Sequence, residues 1–225
     1  TLFIVGLVFI QKRTLELAVL QDANSIKELG DTKDRGPKVV VIGGGVGLTK
    51  ILEGLKNYTN NLTAIVTISS YGNKKKRKPT NNIRNSIIAL AQHSDEMSKL
   101  MNLPIGTGTF GDVYLDSMEK ISKDFAEGIQ KRNNVLSMVG KVLPATLDEM
   151  RICVELEDGT VIEEKEKIAE ITTDRVTKIN RVFIKPTNCR TAPGIVEAIK
   201  SADAIVIAPG SLYTEVIPLS LIHIS

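Results

Sequence analysis

The stretch "KVVVIGGGVGLTKILEGLKNY" limits the fold more than any other part of the chain. From Val39 to Ile42 the run is apolar without a polar face, the pattern of a parallel strand buried on both sides. Glycines end the run, and behind them Leu48, Ile51, Leu52 and Leu55 recur at helical spacing. With the apolar strand "NLTAIVTIS" next along the chain, this makes a right-handed βαβ unit. A loop Gly43–Gly47 between strand and helix offers backbone N–H groups and a positive helix end, for which phosphate is the natural guest. The dinucleotide fingerprint needs a glycine where Leu48 stands and an acid near the end of the second strand, where Ser69 and Ser70 stand. Classical NAD binding is disfavoured on that ground, and the P-loop pattern fails because Thr49 precedes Lys50.

Further on, "NNIRNSIIALAQ" predicts a helix with Asn81 or Asn82 as N-cap and Ile83, Ile87, Ile88, Leu90 and Ala91 on its inner face. "IGTGTFGD" is a second glycine-rich turn, and Met118, Ile121, Phe125 and Ile129 form the inner stripe of a long amphipathic helix. "RICVELEDGTVIEE" alternates around Asp158 and Gly159, a hairpin signal, and "RVFIKP" adds a strand. "APGIVEAIKSADAIVIAPGSLYT" then returns to helix and strand, with a new helix beginning at Pro209, Gly210 and Ser211. The expectation is an α/β fold, its parallel sheet interrupted by a small antiparallel β insertion at about 150–186. In such sheets ligands sit at the C-terminal ends of the strands, and both the Gly43–Gly47 loop and the "APGSLYT" turn would lie there. Ser211 and Thr214 can cap a helix or bond a phosphate. Tyr213 can stack on a base or fill the space between layers.

Composition is globular: 225 residues, 42% hydrophobic and 24% charged. Lys and Arg number 29 against 26 Asp and Glu, and five of the cations are Lys74 to Lys78 in the loop "TISSYGNKKKRKPTNNIRN". Without those five the balance is 24 against 26, so the whole protein does not have the charge of a polyanion binder. A solvated loop is the default for the run, and a phosphate clamp the alternative. Cys153 and Cys189 lack the spacing of a zinc site or a disulfide framework, which fits a reducing cytosol. His93 and His223 are isolated.

"TLFIVGLVFI" precedes "QKR" at the start of the chain. Ten residues fall short of the roughly 20 that span a bilayer. The run is either the end of a membrane span with Gln11, Lys12 and Arg13 as its cytoplasmic flank, or a buried element of a soluble fold. Residues 1–36 are expected to comprise this segment, a polar helix and a linker "GDTKDRGP", with the domain occupying 37–225. "PLSLIHIS" ends without a finished helix, so the domain is expected to be incomplete at its C-terminus.

The blocks "PKVVVIGGGVGL", "TAIVTI", "NIRNSIIALA", "GKVLPAT", "ELEDGTV", "RVFIKP" and "ADAIVIAPGSLYTEVIP", in that order, resemble the gluconeogenesis factors. These are bacterial relatives of 2-phospho-L-lactate transferase, the enzyme that joins phospholactate to a deazaflavin in making coenzyme F420. The resemblance covers about 37–218. It implies a three-layer Rossmann-like domain that holds a UDP-sugar or related nucleotide, and a role in cell shape and cell-wall morphogenesis during gluconeogenic growth; with the cysteine usage, the expected location is cytoplasmic, with a membrane tether on the cytoplasmic face as the alternative. Some members carry an N-terminal membrane segment, and members continue beyond "SLYT".

The chain also departs from that pattern. Ser69 and Ser70 replace an acidic pair that could hold a divalent metal such as Mg2+, so no metal or catalytic residue is assigned. Asn82 stands for Asp, Val46 for Thr, and Asp112 where a Gly-Asn pair is usual. Residues expected at the nucleotide are Gly43, Gly44, Gly45, Val46, Gly47, Arg84, Asn85, Gly210, Ser211, Tyr213 and Thr214, with Arg84 donating to phosphate or engaged in an ion pair. A non-catalytic nucleotide-sugar binder is therefore the first reading. A transferase is the second, with Asp112 as its one nameable acid or merely an N-cap. A nucleic-acid module is the third; it rests on the basic run alone and is not expected.

Overall fold

The computed structural model describes residues 8–9, 29–67, 81–106, 108–121, 136, 138–148, 150–163, 167–168, 170–171 and 178–218. In chain order the first elements are β1 (Val8–Phe9), α1 (Leu29–Asp34), β2 (Val39–Gly43), α2 (Gly45–Leu55) and β3 (Leu62–Val66). Next come α3 (Asn81–Leu90), α4 (Ser94–Met101), β4 (Pro104–Ile105), β5 (Gly108–Thr109), α5 (Phe110–Ile121) and β6 (Lys141–Pro144). The last are β7 (Arg151–Leu156), β8 (Val161–Ile162), β9 (Ile179–Lys185), α6 (Ile195–Lys200), β10 (Ala204–Ile207) and a π-helical turn, Leu212–Val216.

The main sheet runs β1-β10-β2-β3-β6; its last four strands are parallel and β1 is an antiparallel edge. Alternation along the strands divides the core. Val39, Val41, Leu62, Ala64 and Val66 meet Leu48, Leu52, Ile83, Ile87 and Leu90 on one face. Val40, Ile65 and Leu143 meet Ile184, Cys189 and Ile195 on the other. Helices thus lie on both faces, and each fully buried leucine or valine contributes about 1.5–3 kcal/mol. A three-stranded antiparallel sheet, β8-β7-β9, forms the insertion. Ile152, Val154 and Ile168 make its separate core, and Tyr213 packs against them.

Several expectations change. The first turn of α3 already includes Asn81 and Asn82, so neither is its N-cap. The long helix begins at Phe110 because Thr109 and Asp112 form a reciprocal capping box. Asp112 Oδ2 accepts from Thr109 N at 3.0 Å, and Thr109 Oγ1 accepts from Asp112 N at 3.4 Å. Phe125 and Ile129, expected on the same inner stripe, lie outside the described residues. Helix α4 went unforeseen: it is short, and Asp95, Glu96 and Lys99 complement its dipole where an apolar stripe would have marked it. The linker supplies most of α1 and is tied down by Asn60 Nδ2 on Asp34 Oδ1 at 2.6 Å and Asn61 Nδ2 on the Gly36 carbonyl at 2.8 Å.

Val8 and Phe9 pair with Val206 and Ile205, so these two residues of the apolar start form a strand; its neighbours lie outside the described residues. Among the described residues no helix is long and apolar enough to cross a membrane.

Candidate functional site

Connections β2–α2–β3 and onward to β6 move one way across the sheet, whereas α6 returns the chain on the opposite face to place β10 on the other side of β2. The order therefore reverses between β2 and β10. At such a switch point the loops leaving the two strands part in opposite directions, and a crevice opens at their C-terminal ends.

Both glycine turns lead out of this crevice. β2 runs through an extended Gly44 (φ −158°, ψ 179°) into α2. β10 continues through Ala208, whose N–H donates to the Ile42 carbonyl at 2.9 Å, into Pro209 and Gly210. The two turns touch at Gly47, where any Cβ would run into the Pro209 carbonyl oxygen. Ser211 then caps the π-helical turn, its Oγ accepting from Thr214 N at 3.4 Å.

Polar side chains knit the floor. Thr67, at the end of β3, is 1% exposed; its Oγ1 lies 2.8 Å from the Glu215 carbonyl and 3.3 Å from the Gly43 carbonyl, and its N–H donates to Gly43 O at 3.0 Å. The carboxylate of Glu215, 6% exposed, fills the space beside Gly44 that a Cβ would need. Asn82 reaches across from α3: its Nδ2 donates to Glu215 Oε2 at 3.3 Å and to the Thr67 carbonyl at 3.2 Å, and its Oδ1 accepts from Gly45 N at 3.3 Å. One of the helix's free amides is thereby engaged before any ligand arrives.

The crevice thus gathers Gly43–Gly47 with Gly210, Ser211 and Thr214. Val46 is 74% exposed at its mouth. Arg84 faces elsewhere on α3, its guanidinium engaging Thr109 Oγ1 at 2.8 Å, Asp112 Oδ1 at 3.3 Å and Asn81 Oδ1 at 3.0 Å. Asn85 is exposed on the same helix, and Tyr213 turns to the insertion's core. Ser69, Ser70 and the Lys74–Lys78 run lie outside the described residues. Sequence reasoning missed Thr67, Glu215 and the bridging role of Asn82. An ionisable residue inside the apolar "SLYTEVIP" was the available signal for Glu215.

As a metal holder the described part of the crevice is poor. Glu215 is joined there by amide and hydroxyl groups, and among the described residues no three His, Cys, Asp or Glu side chains cluster. A cavity of about 590 Å³ opens at the opposite sheet edge, lined by Lys38, Thr63, Lys141, Glu197 and Ser201 among others. It lies at the strands' N-terminal ends, away from the edge where sheets of this kind bind ligands, and neither the Gly43–Gly47 loop nor the turn at Gly210 lines it.

Comparison with known proteins agrees with the α/β fold. The family model described as 2-phospho-L-lactate transferase CofD matches residues 39–223. A protein of Clostridium acetobutylicum, provisionally named a gluconeogenesis factor, is 40% identical over 84% of this chain and 44% of its own length. The gluconeogenesis factor of Listeria innocua is 35% identical, covering 85% of this chain and 62% of that protein. A crystal structure of a UPF0052-family protein from Bacillus halodurans superposes with a TM-score of 0.72 at 35% identity, covering 83% of this chain and 63% of the other. The chain therefore spans between 44% and 62% of the length of these two named relatives.

Proposed function

Because the chain belongs to the 2-phospho-L-lactate transferase CofD family, we propose that it binds a nucleoside diphosphate sugar of the uridine type in the crevice between β2 and β10. On this reading it is a cytoplasmic protein that acts as a gluconeogenesis factor, in cell shape and cell-wall morphogenesis during gluconeogenic growth. The observation that supports binding is the meeting of two glycine turns at the switch point of the sheet. The diphosphate lies across Val46, Gly47, Gly210 and Ser211, where backbone N–H groups and the dipole of α2 favour negative charge. Arg84 joins it only by exchanging its Asp112 partner for phosphate.

Calorimetric titration with UDP-N-acetylglucosamine tests the proposal. Saturable heat is the expected result, and none at millimolar ligand in a folded sample excludes it. A second reading, transfer of a phosphorus-containing group in the same crevice, draws on the family's activity and on the Glu215 carboxylate. It requires magnesium-dependent product; full binding with no turnover rejects it.

A further inference from the structure

The cavity at the N-terminal ends of the strands plays no part in the crevice, yet its lining is organised. Its volume of about 590 Å³ lies within the usual range of small-molecule pockets, about 300–1,000 Å³. One wall is α6, through Ala198 and Glu197. The floor is the sheet itself, where Val40, Thr63 and Lys141 lie side by side in register on β2, β3 and β6. Val40 and Leu143 are buried members of the core on this face, so the floor is largely apolar. Thr63, half-buried in its middle, carries a hydroxyl that makes no hydrogen bond to any described residue.

The rim is charged and unpaired. Lys38 and Lys141 are exposed, and among the described residues neither ammonium has an ion-pair partner, nor has the Glu197 carboxylate. Asp203, which does not line the cavity, accepts from the Lys38 backbone N–H at 2.9 Å and so fixes where that side chain starts. Strands are about 4.8 Å apart and alternate residues of one strand about 6.6 Å apart, which puts the two lysine Cα atoms roughly 12 Å from each other. Two flexible four-carbon stems span that gap, so both ammonium groups can close on one ligand head. Two cations against one acid leave a single positive charge, which matches a monoanion better than a polyphosphate.

We propose that this cavity is a second binding site, separate from the crevice, for a small organic monoanion with an apolar body. The body lies on Val40, Leu143 and Ala198, and the head, a carboxylate or its equivalent, accepts from Lys38, Lys141 and the Thr63 hydroxyl.

Fluorescence titration with anilinonaphthalene sulfonate, an apolar monoanion, tests the assignment. The parent is expected to show one saturable site that octanoate empties and acetate, the same head without a body, does not. In the double variant Lys38→Gln, Lys141→Gln the probe weakens about tenfold, the worth of one charge-assisted hydrogen bond. Both lysines are exposed, so that variant keeps its fold. Thr63→Val, which keeps the shape and removes the hydroxyl, weakens the probe less. A probe that the parent does not bind, or that parent and double variant bind alike, overturns the proposal. Displacement by acetate as readily as by octanoate, or by UDP-N-acetylglucosamine, overturns it too; nucleotide binding in the crevice stands or falls separately.

Discussion

Two regions of this molecule carry polar side chains on a sheet and use them in opposite ways. At the C-terminal edge of the parallel sheet, Thr67, Asn82 and Glu215 are wholly or partly buried, and they join segments as far as 148 residues apart in sequence. On the outward face of the β8-β7-β9 sheet, Glu155 pairs with Arg181 and Glu163, just after β8, pairs with Lys185 in solvent, with Arg181 and Lys185 flanking the Phe183 ring at 5.1 and 5.7 Å. Removing a group from the first network leaves its partner buried and unsatisfied; in the second, water replaces whatever is removed. Density of polar contacts is therefore a poor guide to function, and their burial a better one.

The largest expected effect that tests this contrast is at Gly47. Gly47→Val drives a side chain into the Pro209 carbonyl and pries α2 from the turn after β10, at a cost of about 3 kcal/mol, the upper end for overpacking. Urea unfolding measures it, and a variant as stable as the parent would mean that the two turns do not meet. Thr67→Val comes next. It keeps the shape but strips the hydroxyl from the Glu215 carbonyl, costing about 1–3 kcal/mol. An unchanged unfolding midpoint would contradict the buried network.

On the charged face the effects are smaller and depend on pH. Hydrogen bonds from Arg181 and then Asn180 hold Glu155 below its ordinary value, and Lys185, by hydrogen bond and then by charge, does the same for Glu163. Stability from a lowered carboxylate is complete above the unfolded value and is lost as pH falls through the folded one, so the loss falls below about pH 4.5. Glu163→Gln should therefore differ from the parent at neutral pH and converge with it below that point; a gap that persists into acid would contradict the pairing. Arg181→Ala, with its side chain 65% exposed, should show the smallest shift of the series. A loss as large as that of Thr67→Val would erase the contrast between the two regions.

Local pattern made the architecture legible. Apolar runs without a polar face marked β2 and β10, alternation around Asp158 and Gly159 marked the hairpin, and the position of both glycine turns followed from strand polarity. Sites built by contact across the fold were not legible. Nothing near Asn82 announces a bond to Gly45 or to Glu215, 133 residues on, and nothing near Arg84 announces its pairing with Asp112, 28 residues on. Tyr213 packs against Ile152 and Val154 of the insertion, a contact that nothing in its own stretch of sequence announces.

A crystal structure of the complex with UDP-N-acetylglucosamine is the most direct test of the central claim. Ligand density between Gly44–Gly47 and Gly210–Thr214, with the diphosphate near Gly47, is the predicted result. Density instead in the cavity beside Lys38 and Lys141, at the opposite edge of the sheet, would contradict it.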